Sequence, residues 1–441
     1  MLDTIQILLL SFLPCFSQER TFKYLVDFFW GIVSIKRKTV TGIYLQSEMS
    51  RHFTNYYRFL KKYKWDTLSL SKKLYETIRE KTTIFAGKCQ KDNIYLVLDS
   101  TFAKKSGKNF DGVDFHFDHS SKPNTPKYIW GHCVFILGNL ITSPCCKRMC
   151  FPFMASLYLR QDTIKKQKLS DLFVPMLDKA VDMIISVKDC FKGKIVTVVA
   201  DAFFSKKNFF KPLFESGIYV LTRCRKDAVA YEPAPPPKEK KRGRPKLYGD
   251  KIKLRDLLSV ELLESMTVKI SGKKRRFEYV LTNLLLKGYA GFARFLIIKE
   301  KTPVILMTTN LNMSAEEMLQ TYCARFQIEF SIRELKQELG FEDYQVRRSW
   351  AIEKFLNITI LVNSLLKIAF VTDKKLQGSV RKQTSQPWRG QEPVFSIKEV
   401  LSILRNEIMI KRFLDISGFK PKQQKIPAFE QIPAINWELK C

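Results

Sequence analysis

The chain has 441 residues, 45% of them hydrophobic and 13% aromatic, enough for a sizeable core and roughly two to four domains. Its 75 Lys and Arg against 43 Asp and Glu give a formal net charge of +32, so a large polyanion is the expected partner; nucleic acid leads, although charge alone does not separate DNA from RNA or an anionic membrane. The ten cysteines form no evenly spaced framework, which excludes a secreted disulfide scaffold and fits a reducing, cytoplasmic compartment.

Cys145, Cys146 and Cys150 stand close together but lack a second CxxC or HxxxH half, so they read as strand and turn cysteines and not as a zinc site. The apolar run Ile7 to Phe16 is short and follows Asp3 where a signal peptide has basic residues, so it reads as a buried helix. Leu356 to Val371 is broken by Asn357, Asn363, Ser364 and Lys367 and falls short of the roughly 20 residues a bilayer requires.

From the N-terminus, residues 1–90 read as helical, with apolar spacing through Phe22, Leu25, Phe28 and Phe29, then a basic and aromatic segment from Arg51 to Trp65. A DNA-binding head fits this region. Gly42 marks a turn between two helices, with a helix-turn-helix and a plain helical bundle about equally supported.

Ile94 to Asp99 is an apolar run closed by a carboxylate, as in a buried strand that delivers a side chain at its C-terminal end. Further strands are expected at 128–137 and 149–159, then a long amphipathic helix over 170–191. The first pattern recurs at Ile195 to Asp201, a β-branched run again closed by an aspartate, followed by a helix over 205–215 and a strand over 218–222. One such aspartate is usually a turn or cap residue; two in a basic chain shift the balance toward chemistry.

Between about 223 and 301, a proline-rich stretch leads into Lys241-Arg242-Gly243-Arg244-Pro245-Lys246, and alternating segments at 277–281 and 295–298 indicate β structure. This reads as a β-rich insertion. The basic loop resembles an AT-hook core, in which Arg242 and Arg244 would enter a narrow A·T minor groove; a flexible basic linker is the alternative.

After a strand at 304–307, a helix is expected from Ser314 to about Leu339. Tyr322, Arg325, Glu329 and Lys336 fall within an arc of roughly 60° on it, with Arg333 close by, while Ile328, Ile332, Leu335 and Leu339 face the core. An ordinary solvated face of helix ion pairs has the same look. An acid among bases also suits a site that binds a divalent cation while its neighbours hold phosphates, and Asp99 and Asp201 can complete such a site. Three carboxylates can hold two metal ions for in-line phosphoryl displacement without histidine or a covalent nucleophile. The four histidines, His52, His116, His119 and His132, form no triad or zinc motif, and His132 reads as a satisfied structural residue.

With these residues in place, the sequence resembles the DDE transposases of bacterial insertion sequences, whose Y-(2)-R-(3)-E-(6)-K signature Tyr322, Arg325, Glu329 and Lys336 match without a gap. Asp99, Asp201, the 128 positions from Asp201 to Glu329 and the β-rich insertion between them also resemble that family. The resemblance implies an RNase H-like α/β catalytic domain over 91–222 and 302–371, interrupted by the insertion at 223–301. A helical N-terminal region would precede it, and a C-terminal region over 372–441 would serve dimerisation or DNA contact. It implies catalytic and metal-binding roles for Asp99, Asp201 and Glu329, two Mg²⁺ ions replaceable by Mn²⁺, and DNA contacts from Tyr322, Arg325 and Lys336.

It also implies cleavage at terminal inverted repeats of double-stranded DNA and strand transfer into target DNA, within a homodimeric synaptic complex. Some relatives hold a flipped base on an insertion tryptophan; none lies between Asp201 and Glu329, and Phe277 or Tyr279 would serve as core residues or stack in its place. A structure-selective nuclease on the same fold, or a non-catalytic regulator derived from a transposase, is the alternative.

Overall fold

The computed structural model describes residues 2–47, 49, 51–82, 92–118, 123–141, 148–235, 246–260, 262–270, 273–287, 289, 291–384 and 395–417. The basic loop with Arg242 and Arg244, His119, and Cys145 and Cys146 lie outside them.

β-Branched and apolar runs build the centre of one mixed sheet. Its first half comprises β1 (Asn93–Lys104), β2 (Asp114–Phe117), β3 (Tyr128–Ile141), β4 (Met149–Tyr158), β5 (Ile195–Ala200) and β6 (Ile218–Arg223). β4 pairs β3 and β3 pairs β1, both antiparallel, whereas β5 runs parallel to β1 and β6 parallel to β5. The order 4-3-1-5-6 is an RNase H-like arrangement, as expected. Val196, Val198, Val199 and Ala200 are buried, as a parallel strand covered on both faces requires.

The second half, β7 (Val229–Pro233), β8 (Tyr248–Lys253), β9 (Glu264–Ile270), β10 (Lys273–Leu285), β11 (Phe292–Ile298) and β12 (Val304–Thr308), joins this same sheet. β12 pairs β6 antiparallel, so the β-rich segment prolongs the sheet outward from β5. Tyr279, buried with its hydroxyl donating to Glu264 Oε2 at 2.8 Å, is a core residue.

Five helices, 2–10, 19–34, 40–46, 53–61 and 67–82, form the N-terminal region. Its aromatics turn inward: Tyr56 and Phe59 are fully buried, Phe59 stacks on Trp65 at 5.0 Å, and Arg58, Lys61, Lys62 and Lys64 stay outside. Gly42 lies inside the third helix and not at a turn; Thr39 caps that helix by accepting from Gly42 N, and a Cβ at Gly42 would meet Ile35 Cδ1 at 2.9 Å. The single helix expected over 170–191 is Met176–Ile185 with a short 3₁₀ turn at Lys188–Phe191. Pro175, with no N–H to donate and an extended backbone, sits at its start.

The helix Ser349–Thr372 is long and apolar enough to cross a membrane by composition, yet 94% of its most apolar window is buried in the fold. Its polar residues explain why it sits there. β4 is an edge strand, and an edge exposes unpaired backbone groups. The Asn357 amide both accepts from Ala155 N at 2.9 Å and donates to Ala155 O at 2.8 Å, Ser364 donates to Pro152 O, and Lys367 Nζ donates to Cys150 O at 3.0 Å. Side chains of one helix thus do for the edge what a neighbouring strand would do.

Lys367 is buried, and its charge is matched by Glu334 at 2.9 Å and by Ser331 Oγ at 2.8 Å. Removing one partner of a buried pair strands the other. Glu334→Leu is expected to lower unfolding stability by about 3–5 kcal/mol, with Glu334→Leu/Lys367→Met recovering a large part of the loss. Urea titrations of the two variants check this, and a double variant no more stable than the single would refute the pairing.

Candidate active site

Parallel pairing of β1 with β5 ends at Val97 opposite Val199. Continuing that register by two residues sets Asp99 beside Asp201, on the same face of neighbouring strands. Asp99 does not end its strand, as the sequence suggested: β1 continues to Lys104 because β3 pairs with it throughout, Asp99 standing opposite Ile136. What ends at Asp99 is the parallel neighbour, and this leaves room beside the carboxylate.

Asp201 follows the last residue of β5 and caps a 3₁₀ turn, its Oδ1 accepting from Phe203 N at 2.9 Å. Thr222 Oγ1 donates to the Asp201 carbonyl at 2.7 Å and ties that corner to β6. Asp99 Oδ1 accepts from Ser100 N at 2.8 Å. Each aspartate therefore keeps one oxygen engaged with backbone, which fixes its orientation.

The helix expected over 314–339 is two helices, Ala315–Ala324 and Gln327–Gln337, with Ser314 capping the first by accepting from Glu317 N at 3.2 Å. Hydrogen bonds of the shorter i to i+3 kind, Arg325 N to Tyr322 O and Ile328 N to Arg325 O, mark the junction. Arg325 sits at this break. Its Nη2 donates to Glu329 Oε1 at 2.8 Å, its Nη1 lies 3.5 Å from Asp99 Oδ2, and its guanidinium carbon is 5.9 Å from the Tyr322 ring centroid. The guanidinium thus spans the gap between two of the three acids.

Ile328, Leu335 and Leu339 are buried as expected. Lys336 projects toward β1, where its Nζ donates to Phe102 O at 2.6 Å and lies 3.4 Å from Glu342. Burial lowers its pKa. Arg333 is exposed and stacks over Phe330 at 5.3 Å. His132, fully buried, shares hydrogen bonds with Tyr344 Oη at 2.7 Å and the Asp111 carbonyl at 3.1 Å; burial pushes its pKa down to about 4, a structural histidine.

Sequence reasoning missed three exposed aromatic residues around the acids: Phe203 beside Asp201, and Phe326 and Phe330 flanking Glu329. The i, i+4 spacing of the last two was a signal for a shared helix face. A cavity of about 510 Å³ opens next to Asp201, lined in part by Phe203, Phe210, Lys206, Lys207, Arg225 and Lys287.

Burial raises the Asp99 pKa to about 6; Arg325 opposes this, while Asp201 and Glu329 add to it. Among the described residues no three His, Cys, Asp or Glu side chains converge on one cation position as they stand. The donor set nonetheless fits a hard divalent cation, being made of carboxylate oxygens, and Arg325 already supplies positive charge between two of them.

An unfolded aspartate titrates near 3.9, so the raised value means that ionising Asp99 costs folding stability. The favourable contribution is complete below about pH 4 and is lost as pH rises through about 6. Asp99→Asn, which keeps an acceptor for Ser100 N, is expected to be more stable than the native chain at pH 7.5 in metal-free buffer. The difference should close by pH 4. Denaturant midpoints at the two pH values test it, and a difference that does not change with pH would count against it.

Two family models match this chain: a "Transposase DDE domain" over residues 166–365, which includes Asp201 and the segment from Tyr322 to Lys336, and a "DDE superfamily endonuclease" over 11–137, which includes Asp99. Among solved structures, the Drosophila P element transposase strand transfer complex is similar at 13% identity, covering 91% of this chain and 76% of that one. Its TM-score is 0.20, too low to bear on the fold. No curated protein matches the sequence significantly.

Proposed function

We propose that this chain, one of the DDE transposases, cuts double-stranded DNA at the terminal inverted repeats of an insertion sequence and transfers the freed ends into target DNA. The observation that carries the reading is Asp99 set beside Asp201 by the strand register and joined to Glu329 through Arg325, in a chain of net charge +32. DDE transposases use divalent metal ions; for this chain the proposed ions are two Mg²⁺, with Mn²⁺ as a substitute, held by the three carboxylates. Bound there, they supply Lewis-acid stabilisation of charge on the attacking and leaving oxygens.

The chain's own residues do the rest. Asp99 and Asp201, fixed by Ser100 N and Phe203 N, present their remaining oxygens on one side of the sheet. Arg325 carries a planar fork suited to a phosphate once its carboxylates bind cations, and Tyr322 packs beside it. Lys336 and Arg333 extend the positive edge along the helix. Arg242 and Arg244 contact the minor groove of A·T-rich DNA. In the first reaction a water oxygen bonds to phosphorus, the bond to the 3′ oxygen breaks, and that oxygen leaves as a hydroxyl. In the second, the 3′-hydroxyl oxygen attacks a target phosphodiester and displaces its 3′ oxygen, which takes up a proton in exchange for the one the attacking hydroxyl gives to solvent. Each reaction breaks one P–O bond and forms one at the same phosphorus, so one site serves both, within a homodimer that pairs two ends.

DNA carrying the repeats that flank the gene, incubated with Mg²⁺, should be cut at the repeat ends. Asp201→Ala and Glu329→Gln should each lower cutting by at least about a hundredfold while retaining DNA binding. Binding without cutting under any divalent metal would instead favour a regulator that has lost catalysis.

A further inference from the structure

Strand β2 is inverted relative to an ordinary surface strand. Its His116 is buried, stacked on Phe102 at 5.0 Å, while Phe115 and Phe117 point outward with 56% and 43% exposure. Across the hairpin their partners are also aromatic: Phe115 pairs Trp130 and Phe117 pairs Tyr128, with ring centroids 4.7 Å and 5.5 Å apart. Tyr128 is 59% exposed, and the Trp130 indole is braced by donation to Gly107 O at 3.0 Å. Four rings thus form a ladder on one face of a two-stranded ribbon. A large apolar patch left in water, with a histidine spent on the inside, marks a surface that contacts something.

The register says where this surface lies. Asp99 is opposite Ile136, and opposed residues share a face, so the even-numbered residues of β3 down to Trp130 and Tyr128 lie on the Asp99 side of the sheet. Six to eight residues at a strand rise of about 3.3 Å place the ladder roughly 20–26 Å from Asp99 along the strand direction. Position and net charge select the occupant. The ladder lies on the face of the sheet that carries Asp99, in a chain of net charge +32. At its rim Arg160 donates to the Phe115 carbonyl at 3.0 Å and pairs with Asp114 at 3.4 Å, and Lys127 precedes Tyr128. A second copy of so basic a chain would be repelled, whereas a polyanion with flat faces satisfies both the rings and the overall charge.

We infer that the Phe115, Trp130, Phe117 and Tyr128 ladder is a stacking platform for unpaired bases of DNA, roughly 20–26 Å from the phosphate that reacts at Asp99. The site is separate from the carboxylates and holds bases by their faces, without reading sequence. The inference rests on the DNA-binding reading above.

The test is done in EDTA, where no cleavage occurs, with the full chain and a fluorescent single-stranded oligonucleotide carrying 2-aminopurine. Phe115→Ala and Tyr128→Ala are each expected to weaken single-strand binding about tenfold and to relieve the quenching of 2-aminopurine, with Tyr128→Phe close to the native chain. Lys127→Ala should lower the salt dependence of binding, which the ring variants leave unchanged. Native affinity and quenching in the ring variants would overturn the platform while leaving DNA binding intact. Loss of self-association in sedimentation, with oligonucleotide binding unaltered, would overturn it in favour of a second copy. A native chain that binds neither single-stranded nor duplex DNA would remove the proposed function as well.

Discussion

The parallel pairing between β1 and β5, and the point where it stops, is the constraint on which the rest of the structure depends. Two strands buried on both faces must hold a fixed register, because a slip of one residue would turn every side chain to the opposite face. That register brings Asp99 and Asp201 side by side although 102 positions separate them in the chain. Ending the pairing after Val97 and Val199 then opens a gap at the sheet edge without leaving β1 loose, since β3 holds it on the other side.

The third acid is positioned by a different route. The helix Gln327–Gln337 is gripped at the back by the buried Lys367, which reaches both Ser331 and Glu334, and at the front by Lys336 reaching the β1 carbonyl of Phe102. With the helix held at these points, Glu329 in its first turn has little freedom to rotate away from β1. The same Lys367 holds Cys150 O of β4, so the edge strand, the buried helix and the acid-bearing helix share one polar network. An apolar helix with a few polar residues is thereby made specific in its placement, because Asn357, Ser364 and Lys367 meet their partners on β4 in only one seating.

Much of this was legible in local pattern. The apolar runs closed by Asp99 and Asp201 gave the two central strands, and the spacing of Ile328, Leu335 and Leu339 gave the buried side of the acid-bearing helix. What was not legible depends on contacts distant in sequence. Ser100 to Lys104 carries no strong strand signal, and it is extended because β3 pairs with it. The break at Arg325 leaves no glycine or proline as a marker, and the alternation of apolar and other residues in 229–298 could not say that these strands would join the existing sheet. The Asn357 and Lys367 interruptions of the apolar helix were visible, but their partners on β4 appear only in three dimensions.

That continuity of the sheet gives the molecule a mechanical property. From β5 through β6 and β12 to β11 and β10, each strand is hydrogen-bonded to the next, with Thr309 bonding to both the N–H and the C=O of Val220 close to the β6–β12 contact. A sheet resists shear along its hydrogen-bonded rows far better than two lobes joined by a linker resist rotation. The outer strands therefore act as a stiff lever fixed at Asp201: a load applied to them displaces the acid's own strand, and is not absorbed in a hinge on the way.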